Sequence, residues 1–364
     1  MSYITAIGTA NPPHRHSQQQ IADFMLKTTQ LQGDDARRLK TLYRATGIEH
    51  RYSVLADYGR SFDFSFYSNT EDLEPFPSTR KRLELYRTHA LKLSLDAVRQ
   101  CLGTRSTDGI THLIVVSCTG MYAPGLDIDL VNALGLSRQV ERLCINFMGC
   151  YAAINALRQA DTICRAEPDA SVLVVCTELC SIHFQKEATE DNLLANALFA
   201  DGSAALLVSG RPDRGLNLKP VSFFCDLAPA AEQDMAWTVG DLGFEMKLST
   251  YVPDVIRQGI KSLTHRLLDK IGLSQHQIAY YAIHPGGKKI IESIETELGL
   301  TRKDTQHSHE VLKNYGNMSS PTVVFVLQQL SRQLNGVDDG QNILSFAFGP
   351  GLTLESMILK IENH

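Results

Sequence analysis

Apolar and polar positions fall into two kinds of segment that alternate along the chain. Short, nearly continuous apolar runs, "THLIVVS" (111–117), "SVLVVCT" (171–177), "SAALLVS" (203–209), "IAYYAIH" (278–284) and "NILSFAF" (342–348), are rich in β-branched residues and predict buried strands. Between them, 151–165, 252–272 and 321–334 carry the helical pattern. Strand and helix alternating in this way predict an α/β protein with largely buried sheets.

The pattern repeats loosely. A strand ending in a small-residue loop, then a segment entering a helix at a small-residue step, occurs as 111–120 with 143–159 and again as 278–287 with 311–334. Two related halves follow, 1–215 and 216–364, with the segment 210–240, richer in Pro, Asp and Gly, as the joint.

Composition narrows the function classes. A chain of 364 residues with 43% apolar content supplies a substantial core. The net charge of −5 has no long single-sign block, so the footprint of a nucleic-acid binder is missing. The basic run "STRKRLELYR" (78–87), with Arg80, Lys81, Arg82 and Arg87, predicts a solvated helix face. Eight cysteines, no apolar run long enough to cross a bilayer and no signal peptide ahead of "MSYITAIGTANPP" predict reduced thiols and a cytoplasmic setting.

Three residues stand where chemistry is expected. Cys150 follows Gly149 and leads into "YAAINALRQA", so its thiol lies at a helix start, where free N–H groups and the positive dipole end favour a thiolate. His284 closes a strand and precedes Pro285-Gly286-Gly287, at the carboxyl end where α/β sheets build their sites. Asn317, in "KNYGNMSSPTVV", is presented ahead of a helix with Ser320 as the expected N-cap and Pro321 in its first turn. Singly, each has a bland reading: a buried small hydrophobe, a core histidine, a turn residue. Together they supply a nucleophile, a base partner and a neutral amide donor. Cys176, Cys180 and His183 in "CTELCSIH" offer three metal ligands, but a fourth is not evident and Cys176 belongs to an apolar strand, so no metal is expected.

"MGCYAA" around Cys150, "ALFADGSAALLV" with Phe199, "HPGG" from His284, "YGNMSS" with Asn317 and "FGPGLTLES" (348–356) resemble the type III polyketide synthases, the chalcone and stilbene synthase superfamily. The match keeps order and spacing from about residue 3 to the C-terminus. The resemblance implies a thiolase-like fold of two similar halves in five αβαβα layers, a homodimer, and catalysis by Cys150, His284 and Asn317. It further implies Phe199 at the cavity entrance, a loop of Gly349, Pro350 and Gly351 shaping the site, and Thr119, Met246 and Ser319 on the cavity wall. Arg38 and Arg44 are its candidates for the phosphates of CoA. An acyl-CoA starter would load on Cys150 as a thiolate paired with a His284 imidazolium, then be extended by decarboxylative condensation with malonyl-CoA and cyclised to a pyrone, resorcinol or phloroglucinol-type product. CoA thioesters are substrates, and no cofactor is implied.

Departures from the plant pattern bear on specificity. Trp237 stands where a glycine is usual, Cys180 and His183 replace threonines, and Ala195 replaces a glycine. A bulky indole reduces the room for an aromatic starter, so small acyl starters with pyrone products are expected, or a fatty acyl starter if another tunnel opens. Two alternatives are a ketoacyl-carrier-protein synthase of the fatty-acid priming type and a catalytically silent acyl-CoA-binding protein. The "HPGG" and "GPGLT" signatures oppose the first, and the full set of reactive residues opposes the second.

Overall fold

In the computed structural model, which describes residues 1–228, 235–249 and 252–364, each apolar run named above becomes a strand whose two faces feed different cores. The first part of the chain forms β1 (Tyr3–Ala10), β2 (His14–Ser17), α1 (Gln18–Thr29), α2 (Gly33–Ala45), β3 (His50–Ser53), α3 (Thr79–Leu102), β4 (His112–Ser117), α4 (Leu126–Leu134), β5 (Glu141–Asn146), α5 (Ala152–Ala166), β6 (Ser171–Leu179), α6 (Glu190–Leu198) and β7 (Asp201–Ser209). The second part forms β8 (Leu216–Leu227), β9 (Met235–Gly240), β10 (Gly243–Leu248), α7 (Val252–Asp269), β11 (Ile278–Ile283), α8 (Lys288–Leu298), α9 (Gln306–Tyr315), α10 (Pro321–Ser331), β12 (Asn342–Gly349) and β13 (Thr353–Asn363).

Period-two alternation sets the layers. In β4 and β6, Leu113, Val115, Leu173 and Val175 join the core under α3, while Ile114, Val116, Val172 and Val174 face the opposite core with α5 and α10. In β12, Leu344 and Phe346 pack toward α7 and α8, and Ile343 and Ala347 toward the same central helices. The result is five layers, αβαβα, with α5 and α10 in the middle. A one-residue slip of any of these strands would exchange the contents of two cores, which pins the register. Alanines at 152, 153, 156 and 160 give α5 the small face it needs to lie between two sheets.

Nine strands run in the order β11-β12-β13-β8-β1-β7-β6-β4-β5. The continuity is formal, because β1 and β8 meet at one pair, Ile4 with Leu218, whereas β8 and β13 pair along nearly their full lengths. Each half therefore behaves as its own mixed sheet. Within the segment read as a joint, 210–215 form a connection and β8 and β9 occupy 216–227 and 235–240; residues 229–234 lie outside the described residues.

The basic run differs from expectation at Arg82. Arg80, Lys81 and Arg87 are solvated on α3, but Arg82 is fully buried, with Nε donating to the Pro77 carbonyl at 3.0 Å, a second bond to the Ile182 carbonyl, and the Phe76 ring 4.8 Å away. Its position on the inner side of α3 overrides its charge.

Candidate active site

The site begins with two backbone turns that interlock. Gly149, at φ +76°, starts a short 3-10 turn (Gly149–Tyr151) that delivers Cys150 just ahead of α5. A Cβ on Gly149 would lie 2.4 Å from Pro350 Cδ, and one on Gly349 would lie 2.6 Å from the Tyr151 ring, so glycine is required at both positions. Gly351, at φ +73°, completes the loop. Pro350 lines the cavity, while Gly349 and Gly351 act behind it by setting the backbone.

His284 follows β11, its backbone N–H bonded to the Phe346 carbonyl at 2.8 Å. Its ring is 1% exposed and neither ring nitrogen has a hydrogen-bond partner, which leaves both for whatever enters the cavity. Asn317 is held by backbone as well as side chain. It bridges to Phe199 in parallel fashion, donating its N–H to the Leu198 carbonyl at 3.0 Å and accepting from Ala200 N at 2.8 Å. Its Oδ1 accepts from Ser319 N at 2.8 Å and its Nδ2 donates to the Gly286 carbonyl at 3.2 Å. Gly316, at φ +70°, permits this approach, since a Cβ there would meet the Arg51 side chain at 2.8 Å. Ser320 occupies the N-cap position of α10 without capping it: its backbone is already helical and its hydroxyl donates to Glu178 at 2.8 Å.

Cys150, His284 and Asn317 thus converge on one cavity of about 220 Å³, with Cys150 Sγ 3.9 Å from Asn317 Oδ1. Burial pushes the Cys150 thiol up to about 12, against a downward pull from the Ser319 hydroxyl, and lowers the His284 imidazole to about 3. A standing thiolate and imidazolium, expected from sequence, is opposed at each partner by desolvation.

Thr119, Cys180, Phe199, Trp237, Met246 and Ser319 also line this cavity. His183 and Ala195 do not. They line a second cavity of about 40 Å³, and Cys180, Phe199, Trp237 and Met246 form the wall shared by the two. His183 is turned away because both ring nitrogens are used: Nε2 donates to the Thr119 carbonyl at 2.7 Å and Nδ1 accepts from Phe244 N at 3.0 Å, with the Phe244 ring stacked 4.2 Å away. This also removes it as a metal ligand, and burial lowers it to about 3. Trp237 pairs with Met246 across β9 and β10, and its Nε1 donates to the Cys118 carbonyl.

Arg38 and Arg44 lie on the exposed face of α2, Arg38 near Asp35 at 3.7 Å and Arg44 bonded to the Lys40 carbonyl, and neither lines the cavity. The cations that do are Lys288 and Lys289, at the first turn of α8. Sequence reasoning missed them although "GGKKII" marks a helix opening on two positive charges. It also missed Cys118 on the wall and Glu178 behind it, a buried carboxyl taking hydrogen bonds from Cys118 N at 2.9 Å and Thr119 Oγ1 at 2.7 Å. No helix among the described residues is long and apolar enough to cross a membrane.

Comparison with known proteins agrees along the whole chain. The family described as chalcone and stilbene synthases matches with its N-terminal domain over residues 1–212 and its C-terminal domain over 221–362. An alpha-pyrone synthesis polyketide synthase-like protein, Pks18, of Mycobacterium tuberculosis is 32% identical over 99% of this chain and 91% of its own. A probable polyketide synthase of Dictyostelium discoideum is 31% identical over 99% of this chain, which spans only 11% of that longer protein. Among solved structures, PKS-I from the brown alga Ectocarpus siliculosus superposes with a TM-score of 0.92 at 30% identity, covering 99% of this chain and 98% of that one.

Proposed function

The chain belongs to the chalcone and stilbene synthase family, the type III polyketide synthases, a family of acyl-transferring enzymes that use acyl-CoA and malonyl-CoA, and we propose that it loads a starter on Cys150 and extends it with malonyl units. The observation that carries this reading is the convergence of Cys150, His284 and Asn317 on one cavity. As the thioester carbonyl meets Cys150 Sγ, the thiol proton passes to a ring nitrogen of His284, CoA leaves as its thiol, and the acyl group stays on sulfur. Malonyl-CoA then loses carbon dioxide. Charge builds on its thioester oxygen, where the His284 ring N–H and the Asn317 amide are the donors, each worth about 3 kcal/mol or more in such a role. The Phe199 ring supplies an apolar wall that disfavours a solvated carboxylate. The resulting enolate attacks the Cys150 thioester, and a chain of several units cyclises. No cofactor enters these steps; CoA is carried in by both substrates.

The cavity volume favours a short acyl starter, because about 220 Å³ lies below the roughly 300 Å³ at which ordinary small-molecule sites begin, and the similarity to an alpha-pyrone synthesis polyketide synthase-like protein supports a pyrone product. For the CoA phosphates the reading turns from Arg38 and Arg44 to Lys288 and Lys289. Cations in the first turn of a helix oppose its dipole, so two of them at the mouth suit a polyanion better than they suit α8. A homodimer is supported by β5, an edge strand whose Leu143 and Cys144 are exposed and which a twofold partner would cover. Eight free cysteines suit a reducing cytoplasm.

The test is incubation with malonyl-CoA and a panel of acyl-CoAs, with products identified by mass. Wild-type enzyme is expected to form an acyl adduct on Cys150 and release carbon dioxide, and Cys150→Ala to form no adduct. A stable acyl adduct in the variant at the same level as in wild type would remove Cys150 from the role. Turnover only with malonyl carrier protein would move the chain to fatty-acid priming.

A further inference from the structure

The last turn of α6 ends in carbonyls that the helix itself cannot bond, and each is met by a donor from elsewhere in the chain. The Asn196 and Phe199 carbonyls accept from Arg51 Nη1 at 2.8 and 2.6 Å, the Ala197 carbonyl from Gln18 Nε2 at 2.8 Å, and the Leu198 carbonyl from Asn317 N at 3.0 Å. Arg51 stands on β3, buried at 4% exposure, with Nε donating to Gln18 Oε1 at 2.9 Å and the Tyr43 ring 5.8 Å from its guanidinium. A guanidinium keeps its charge inside a protein, and the negative end of a helix dipole is where a buried cation is favoured. Its stem fits as closely as its head. A Cβ on Gly316, the residue before Asn317, would lie 2.8 Å from Arg51 Cγ and 3.0 Å from the Leu198 carbonyl oxygen. One side chain therefore meets both sides of the Phe199–Asn317 bridge, although Arg51 borders the smaller cavity and is not on the wall of the catalytic one.

We propose that Arg51 is a positioning residue for malonyl-CoA decarboxylation, fixing the Phe199 ring and the Asn317 amide relative to one another. The inference rests on the roles given to Phe199 and Asn317 above. Both act on one malonyl group, the ring at its carboxylate and the amide at its thioester oxygen, and a donor stabilises developing charge only when it is already aimed there. What sets their spacing is a bridge of two backbone hydrogen bonds, from Asn317 N to the Leu198 carbonyl and from Ala200 N to the Asn317 carbonyl, at the end of a nine-residue helix. Such an end frays unless its carbonyls are held, and Arg51, braced by Gln18, holds them. Cys150 and His284 are delivered by the start of α5 and the end of β11, which are separate elements. The consequence is that Arg51 bears on decarboxylation and leaves the loading of Cys150 largely untouched.

The experiment compares wild type with Arg51→Met, Arg51→Lys and Gln18→Leu, measuring carbon dioxide release from malonyl-CoA and acyl loading of Cys150 from hexanoyl-CoA side by side, with urea unfolding of each protein. Arg51→Met keeps the apolar stem and loses the donors. Its kcat for decarboxylation should fall by roughly tenfold to 100-fold, the scale of a small displacement set far from the chemistry. Its KM for malonyl-CoA and its starter loading should stay within about twofold of wild type. Arg51→Lys, a cation without the planar fork, should fall between the two. Gln18→Leu leaves the guanidinium without its brace and should show the same split in smaller degree. Arg82→Met is the control for lost stability, because Arg82 is also a buried guanidinium bonded to carbonyls; it should unfold more easily and keep the two rates in their wild-type ratio. Equal losses of loading and decarboxylation in the Arg51 variants, or the same split in Arg82→Met, overturn the proposal and leave Arg51 a support of the fold. Wild-type rates in folded Arg51→Met overturn it too. If Arg51→Met does not fold, Arg51→Lys and Gln18→Leu decide, and unchanged rates in both overturn it. Wild-type enzyme that loads Cys150 and releases no carbon dioxide overturns instead the roles of Phe199 and Asn317 themselves.

Discussion

The indole Nε1 of Trp237 donates a 2.7 Å hydrogen bond to the carbonyl of Cys118, and this one bond ties the β9–β10 hairpin across the catalytic cavity to the end of β4. The indole is held further by edge contacts with His183 and Phe244, ring centroids 5.9 Å apart in each case, so it stands as a fixed partition between the two cavities. Trp237→Gly should join them and shift products or accepted starters to greater length. Trp237→Phe keeps most of the bulk and loses the bond, so its product spectrum should stay near that of wild type. Liquid chromatography with mass detection of products from an acyl-CoA series decides the matter. An unchanged spectrum in Trp237→Gly would show that the indole does not limit chain length.

Asn317 offers a second test because its two ends do different work. Oδ1 is committed to Ser319 N, while Nδ2 donates to the Gly286 carbonyl and has one further N–H to offer. In Asn317→Asp the first bond survives, but an oxygen then faces the Gly286 carbonyl and the developing enolate charge. Decarboxylation of malonyl-CoA should fall by roughly 100-fold, the scale of losing one such donor, and starter loading much less. Carbon dioxide release and acyl-adduct formation measured side by side separate the two. Equal losses would contradict the division of labour.

What could be read from sequence follows a physical line. Cys150, His284 and Asn317 each stand at the end of a segment with strong periodicity, so composition and turn residues mark them locally. Cys118 and Glu178 lie at the ends of two apolar strands where the pattern reports only burial. Their contact comes from the parallel register of β4 and β6, which pairs Val116 with Cys176 and so carries Cys118 alongside Glu178. No local signal encodes that register. His183 and Ala195 show the same limit from the other side, because it is the placement of the β9–β10 hairpin that separates them from the catalytic cavity. Arg82 was misplaced because a charge in a basic run gives no sign that backbone carbonyls at Pro77 and Ile182 await it.

Lys288 and Lys289 give a test that depends on charge. Lys289→Glu should raise KM for malonyl-CoA by about tenfold while kcat changes little, since a contact to phosphate is made equally in the ground and transition states. The effect should shrink as salt rises. A thioester of N-acetylcysteamine, which carries no phosphate, is the control and should show no change in KM. A parallel rise with both substrates would mean that the lysines support the fold of the mouth and do not meet phosphate.

His183 and His284 make acid stability a measurable property of the buried site. Burial holds both imidazoles at about 3 in the folded chain, against 6.5 when exposed. Between those values the unfolded chain binds protons that the folded chain refuses, so stability rises with pH through this window and is lost progressively as pH falls from 6.5 toward 3, by an amount on the order of 5 kcal/mol per imidazole over the whole window. Asp201 acts in the opposite sense. Burial lifts it from 3.8 to about 6, so the folded chain takes up its proton first and gains stability as pH falls through that range. The histidine contribution is therefore isolated by comparing wild type with His183→Gln, which keeps a donor toward the Thr119 carbonyl and cannot titrate. At pH 8 the variant should be the less stable in urea unfolding, having lost the acceptor for Phe244 N. Below pH 6.5 the gap should narrow steadily, because only the wild type pays for an imidazole that its unfolded state would rather protonate. A gap that stays constant from pH 8 to pH 5 would mean that His183 is not held neutral by burial.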